Sequence, residues 1–222
     1  MSGTAHSATA QGVQGAVSVP AAGRLLLATT STHKIGELRE ILASLPLQLV
    51  TPMDLGLDLD PEETGQSFAE NATIKARAFA AASGLPSLAD DSGLEVDALD
   101  GEPGVRSKRY AGPDATDADR ISFLLGKLAG MPEETRTARF RCVMVLATPD
   151  AVVGEVQGTC EGRIALAPRG ANGFGYDPVF LLPDRGQTMA DLSSEEKHAI
   201  SHRGRAGRAA HALVERWLRE RS

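Results

Sequence analysis

The chain has 222 residues, a formal net charge of -6, and is 42% hydrophobic and 23% charged. That is enough chain for one sizeable α/β domain or two small lobes, with the composition of an ordinary globular protein. The acidic balance argues against non-specific nucleic-acid binding, and no apolar run reaches the roughly 18 residues of a membrane-spanning helix.

Residues 1–23 are small and weakly polar, without the basic start and apolar centre of a secretory signal. They read as a disordered leader or a vector-derived remnant, with residues 24–222 as one domain. The run RLLLAT, Arg24 to Thr29, predicts a buried strand, and LQLVT, Leu47 to Thr51, a second one. Between them Ile35, Leu38, Ile41, Leu42 and Leu45 fall at helical spacing, with Pro46 after the stop. The acidic, turn-rich segment from Pro52 to Gly65 predicts a loop. Ser67 with Glu70 three residues on is a capping pattern that opens an alanine-rich helix to Ser83, closed by Gly84.

LPSLA then reads as a strand running into Asp90 and Asp91, with Ser92-Gly93 allowing a tight turn. Thr116 and Asp119 open another helix, whose face is Ile121, Leu124, Leu125 and Leu128, ending at Gly130. Two long β-rich runs around Pro149-Asp150 predict an antiparallel hairpin, and Pro178 to Leu182 a further strand. Ser201 to Arg219 predicts a helix with Leu213, Val214 and Trp217 inward. Alternating early elements and antiparallel later ones imply an α/β fold, a mixed sheet with helices on its faces. Cys142 and Cys160, without a CxxC or a His/Cys cluster, read as buried thiols in a reducing cytoplasm.

Five stretches carry chemistry. In DLDPEETGQSFAEN the acids read as a solvated loop, and Glu62 or Glu63 could reach a metal only if that loop folds over the cleft. ATTSTHK, Ala28 to Lys34, joins a strand to a helix and offers backbone N–H groups, hydroxyls and a lysine to a phosphate. Without glycine spacing it is not a Walker A loop, and it serves equally as a helix cap at Ser31 with a surface lysine. Asp90 and Asp91 at a strand end would point into the crevice where α/β sheets bind ligands. One or two such carboxylates, with substrate phosphates, suit Mg²⁺. Adjacent strand residues face opposite ways, so one acid is assigned to the ligand and the other to a structural hydrogen bond. In GANGFGYDPVF the glycines flank Phe174, which can stack on a planar base or simply fill the core. SSEEKHAISHRG supplies Lys197, His202 and Arg203 as donors near a helix start.

Taken together, the blocks ATTSTHK, PEETGQSFAENA, LADDSGLEVDALDGEPGVRSKRYAG, GFGYDPVF and LSSEEKHAISHRG resemble the inosine triphosphate pyrophosphatases, or XTP/dITP diphosphatases. They stand in that family's order from Arg24 onward. The resemblance implies an elongated α/β fold, two lobes around a central nucleotide-binding cleft, and a homodimer. It implies Mg²⁺-dependent hydrolysis of ITP, dITP and XTP to the monophosphate and pyrophosphate, clearing deaminated purines from the nucleotide pool.

By motif position, Thr29, Thr30, Ser31, Thr32, His33 and Lys34 would hold the triphosphate. Glu62 and Asp91 would ligate Mg²⁺, and Asp91 would also accept the proton of the attacking water. Ser92 would touch the substrate, while Phe174, Gly175, Tyr176, Asp177, Lys197, His202 and Arg203 would frame base and phosphates. The first loop departs from the family's usual Thr-Gly-Asn: here it reads Thr29-Thr30-Ser31, a hydroxyl in place of an amide.

On this reading Mg²⁺ with Lys34 and Lys197 offsets the charge of the substrate. Donors from Arg203 or His202 pair with a C6 carbonyl and leave an adenine amine unmatched, a discrimination of about 10⁴-fold. Two rivals stand beside it: a Maf-like pyrophosphatase preferring other nucleotides, and a nucleotide-binding module without catalysis.

Overall fold

The computed structural model describes residues 23–221, so the leader expected over residues 1–23 lies, but for Gly23, outside the described residues. The strands are β1 (Arg24–Leu27), β2 (Gln48–Val50), β3 (Ser87–Val96), β4 (Thr137–Ala147), β5 (Val152–Ile164), β6 (Phe180–Leu182) and β7 (Gln187–Thr188). They form one mixed sheet in the order β2-β1-β3-β4-β5-β6-β7. The β1 pairings with β2 and β3 are parallel, and every pairing from β3 onward is antiparallel. The helices are α1 (Thr32–Ile41), α2 (Phe68–Ser83), α3 (Asp117–Lys127), α4 (Ser194–Ile200) and α5 (His202–Arg219).

The period of two along the strands sorts side chains between layers. Leu25, Leu27, Leu88, Met144 and Leu146 face one side and meet Leu38 and Leu42 with Leu213, Val214 and Trp217 of α5. Leu26, Ala89, Val143 and Val145 face the other side and meet α2. That helix lies close because Ala72, Ala76 and Ala80 present no bulk, while Phe68 and Phe79 plug the spaces beside it. Each buried phenyl contributes roughly 1.5–3 kcal/mol. A third cluster gathers Leu124 of α3 and Leu128, the residue that ends it, with Leu94, Val96, Phe140 and Phe180. The two lobes are therefore the helix-covered β1-β2 end and the α3 end, joined by the long strands β3, β4 and β5.

Helix ends follow their capping residues. Ser67 accepts from the Glu70 N–H, Thr116 and Asp119 close a full capping box, and Gly84 takes the left-handed conformation after α2. The Glu70 carboxylate reaches back to the Gln66 N–H, one residue beyond the Ser67 N–H of a capping box.

Three expectations need correction. The strand expected to stop at Asp90 and Asp91 continues to Val96, paired with β4 from Ser87↔Ala147 to Val96↔Ala138, and Ser92-Gly93 make no turn. Pro178 and Val179 belong to a 3-10 turn, so β6 starts at Phe180. The helix α4 was not anticipated; its signal, the Ser193/Glu196 capping box, is present.

The expected strand end is nonetheless real on one edge. β1 registers with β3 only at Ser87 and Leu88, then leaves toward α1. Farther along that edge, the 3-10 segment Gly104–Arg109 takes over, with the Ser107 hydroxyl accepting from the Leu94 N–H at 2.9 Å. Between these two contacts lie Asp90 to Gly93, beside the loop that feeds α1. Gly93 is required there: a Cβ would collide with the Ser107 hydroxyl, the Gly104 carbonyl and the Phe68 ring.

Candidate active site

A cavity of about 370 Å³ opens at this gap. Its wall includes Thr29, Thr30, Ser31, His33 and Lys34 from the first loop, and Asp91 and Ser92 from β3. Phe174, Gly175, Tyr176, Asp177, Lys197, His202 and Arg203 complete the predicted set within it. Thr32 lies outside, lining a neighbouring cavity on the far side of His33 and Phe174. Glu62 is exposed and lines neither cavity; its neighbour Glu63 lines the first.

The first loop sets up an anion-friendly helix start. Ser31 makes no side-chain cap bond, whereas Ser67, Thr116, Ser193 and Ser201 each cap their helices. The first N–H groups of α1 are thus left to a ligand or water. Within the loop the Thr29 hydroxyl accepts from the Ser31 N–H at 3.2 Å.

The two acids divide their duties. Asp90 is buried and sits 2.9 Å from the Lys34 ammonium and 3.7 Å from the Arg203 guanidinium, the latter an ion pair without a hydrogen bond. Burial pushes its proton affinity up, but Lys34, Arg203 and Lys75 outweigh that and hold the carboxyl well below the usual range. Asp91 points the other way. Its oxygens meet Lys75 at 3.0 Å and the Asn71 amide at 3.3 Å. Burial pushes Asp91 above the ordinary aspartate value, with Lys75 opposing and Glu63 adding to the rise. Lys75 also meets Glu63 at 2.9 Å; burial disfavours its charge, but Asp91, Asp90 and Glu63 hold the ammonium protonated.

The far wall is aromatic and cationic. Phe174 stacks on His33 with centroids 4.9 Å apart and planes inclined 24°. The Lys197 ammonium lies 4.6 Å, and the Arg203 guanidinium 5.5 Å, from the same ring centroid. Asp177 accepts from Lys197 at 2.7 Å and from the Phe174 N–H at 2.8 Å. Burial raises its proton affinity against the pull of Lys197. Glu37 of α1 holds Arg203 at 2.8 Å and Lys197 at 3.5 Å. Arg203 also donates to the Ser92 hydroxyl at 3.0 Å. His202 stacks on Phe140, and burial together with Arg203 and Lys197 pushes its proton affinity well down, so it is neutral.

Sequence reasoning missed Lys75, Asn71 and Glu37. A signal existed for the first two. Asn71 and Lys75 fall on the stripe Phe68-Ala72-Ala76-Phe79, the apolar face of α2, where a polar residue needs a partner.

The chain matches the model of the Ham1 family over residues 25–213. The chain belongs to the Ham1 family. Among relatives, the dITP/XTP pyrophosphatase of Geobacillus kaustophilus is 50% identical over 182 residues, covering 82% of this chain and 89% of that protein. The dITP/XTP pyrophosphatase of Exiguobacterium sibiricum is 46% identical over 197 residues, covering 89% and 100%. A solved Ham1 protein from Coxiella burnetii superposes with a TM-score of 0.81 at 43% identity, covering 87% of this chain and 98% of that one. The Staphylococcus aureus Ham1 protein gives 0.78 at 41%, covering 86% and 98%. The Ham1 fold is thus the mixed, helix-flanked sheet described above. Among the described residues, no helix of this Ham1 chain is long and apolar enough to cross a membrane.

Proposed function

We propose that this chain hydrolyses the deaminated purine nucleoside triphosphates dITP, XTP and ITP to the monophosphate and pyrophosphate, so clearing them from the nucleotide pool. One observation carries the reading. Asp91, a buried carboxylate with raised proton affinity, shares one cavity with Phe174, an aromatic face framed by Lys197 and Arg203. A base for water and a stacking surface for a planar heterocycle thus line the same space.

A divalent cation fits this wall. Six cationic side chains (Lys34, Lys75, Lys108, Arg120, Lys197, Arg203) and six carboxylates (Asp60, Glu63, Asp90, Asp91, Asp117, Asp177) line the cavity. The wall therefore has no surplus charge for a triphosphate carrying roughly four negative charges. Asp91 and Glu63 oxygens already converge on one cation, the Lys75 ammonium, and Asp90 Oδ1 is buried without a hydrogen-bond partner among the described residues. Among the described residues no set of three His, Cys, Asp or Glu groups gathers as a metal site. That accords with Mg²⁺, which takes one or two carboxylates and completes its shell with phosphates and water. Asp91 and Glu63 would hold it, Glu63 replacing the Glu62 expected from motif position. Bound there, Mg²⁺ would neutralise and polarise the phosphates.

The remaining roles belong to the chain. The N–H groups opening α1, with Lys34, bind phosphate oxygens. Asp91 takes the proton of the attacking water as the α,β-bridge of the triphosphate breaks and pyrophosphate departs. Lys75, held between Asp91 and Glu63, keeps the two like charges from repelling each other before substrate arrives. Phe174 stacks on the base.

Specificity resides at its edge. Arg203 Nε and His202 Nδ1 are buried without hydrogen-bond partners among the described residues. A C6 carbonyl can satisfy such a donor; an amine cannot, and the mismatch costs about 10⁴-fold. His202 adds to this discrimination in the tautomer that carries its proton on Nδ1, since a bare Nδ1 would accept from an amine.

The test is pyrophosphate release from XTP, dITP, ITP, ATP and GTP, with Mg²⁺ and with the ion chelated. Mg²⁺-dependent release confined to the deaminated purines supports the reading. Equal release from ATP refutes the base-edge argument. Binding of XTP without any release makes the chain a binding module instead.

A further inference from the structure

We propose that Asp117, in the first turn of α3, is a positioning residue that holds the Phe174 loop in place for the base. This rests on the nucleoside triphosphate reading of the cavity. Asp117 is not needed to cap its own helix. Thr116 and Asp119 already form the complete box, with the Asp119 carboxylate 2.9 Å from the Thr116 N–H and the Thr116 hydroxyl 3.2 Å from the Asp119 N–H. Asp117 instead reaches across 58 positions of sequence and accepts from the Gly175 N–H at 2.7 Å. Its second oxygen pairs with Arg120, which also donates to the Lys108 carbonyl at 2.9 Å and to the Ala115 carbonyl at 2.5 Å.

The loop needs such an anchor. Gly173 and Gly175 both adopt left-handed backbone, at φ +76° and +63°, and glycine pays the highest conformational entropy on ordering. Phe174 stands between them. Asp177 holds the Phe174 N–H from inside the cavity, and Asp117 holds the next N–H from α3. Two carboxylates on consecutive amides fix the two peptide planes that flank Phe174, and with them the direction in which its Cβ leaves the backbone. Without Asp117 the Gly175 N–H loses its side-chain partner, and the stretch of the loop that carries Phe174 is less well fixed for the base. Stacking on a fixed ring changes affinity by roughly 5- to 100-fold.

The experiment compares wild type, Asp117→Ala and Asp117→Asn. It measures pyrophosphate release from XTP and dITP, with inorganic triphosphate as a base-free competitive inhibitor. Asp117→Ala should raise KM for both nucleotides within that range while kcat and the inhibition constant of triphosphate stay near wild type. Triphosphate has no base to stack, and Arg120 keeps its two carbonyl acceptors in this variant. Asp117→Asn should restore most of the KM, because its amide oxygen accepts the same N–H. An unchanged KM in Asp117→Ala, a parallel loss of triphosphate affinity, or Asp117→Asn behaving like Asp117→Ala overturns the proposal. No release by the wild type would fault the functional reading instead, and is seen before any variant is compared.

Discussion

Replacing Asp90 and Asp91 separately by asparagine should divide stability from turnover. In Asp90→Asn, Arg203 (3% exposed) keeps Glu37, but Lys34 loses its carboxylate. Removing one partner of a buried ion pair costs about 3–5 kcal/mol. Lys34 is 20% exposed and can turn to water, which favours the lower end. For a chain of this size 1 kcal/mol moves the midpoint by roughly 2–4 °C, so Asp90→Asn should melt about 6–12 °C lower. In Asp91→Asn, Lys75 keeps Glu63 at 2.9 Å. The loss is nearer one hydrogen bond, about 1 kcal/mol and roughly 2–4 °C, while pyrophosphate release should nearly vanish.

The sign with pH follows from the depressed proton affinity of folded Asp90. Its contribution is complete above the unfolded aspartate value of about 4 and disappears as pH falls toward the lower folded value. Asp90→Asn should therefore flatten the acid limb of stability below about pH 4. Circular dichroism melts across pH, beside a pyrophosphate assay, measure both quantities. Equal midpoints for the two variants, or near-normal turnover in Asp91→Asn, would refute the division of roles.

Three further outcomes are open to direct measurement. Burial pushes the Cys142 thiol up to about 12 and raises Cys160 as well, so iodoacetamide should label neither in the native protein and both in denaturant; stoichiometric native labelling would contradict the burial. Gly93→Ala should cost about 1–3 kcal/mol, read as a lower melting midpoint, because the added methyl meets Ser107, Gly104 and Phe68; an unchanged midpoint would show that the 3-10 segment yields freely. The His202 imidazole should keep its neutral NMR shifts as pH falls through the ordinary histidine range, since burial and the cations Arg203, Lys197 and Lys34 disfavour its charged form; a titration midpoint near the ordinary value of about 6.5 would remove that electrostatic argument.

The sequence made the strongly periodic parts legible. Leu213, Val214 and Trp217 announced the inward face of α5, and the β4-β5 hairpin announced itself by length and by its Pro149-Asp150 turn. What failed were features set by distant partners. DDSG carries turn chemistry, yet β3 runs through it, because Lys34 from α1 and Arg203 from α5 neutralise Asp90 inside the sheet. Which of Glu62 and Glu63 faces the cavity depends on the path of an irregular loop, which has no period to read. Lys75 was legible in principle, as a cation on an apolar stripe. At seven residues α4 is too short for periodicity to show, and its capping box sat in a motif read for its charges.

The placement of Arg203 at the start of the last helix has a consequence for biosynthesis. The guanidinium that helps neutralise Asp90 and ties Glu37 to Ser92 is supplied by α5, which leaves the ribosome after every described strand of the sheet. A nascent chain can pair β1, β2, β3 and β4 as they emerge, but one face of that sheet still lacks Leu213, Val214 and Trp217. Core closure and completion of the cavity therefore both wait for α5 to emerge. A message truncated before α5 should yield an inactive chain whose sheet face keeps Leu38, Leu42 and Leu45 as cover but loses Leu213, Val214 and Trp217.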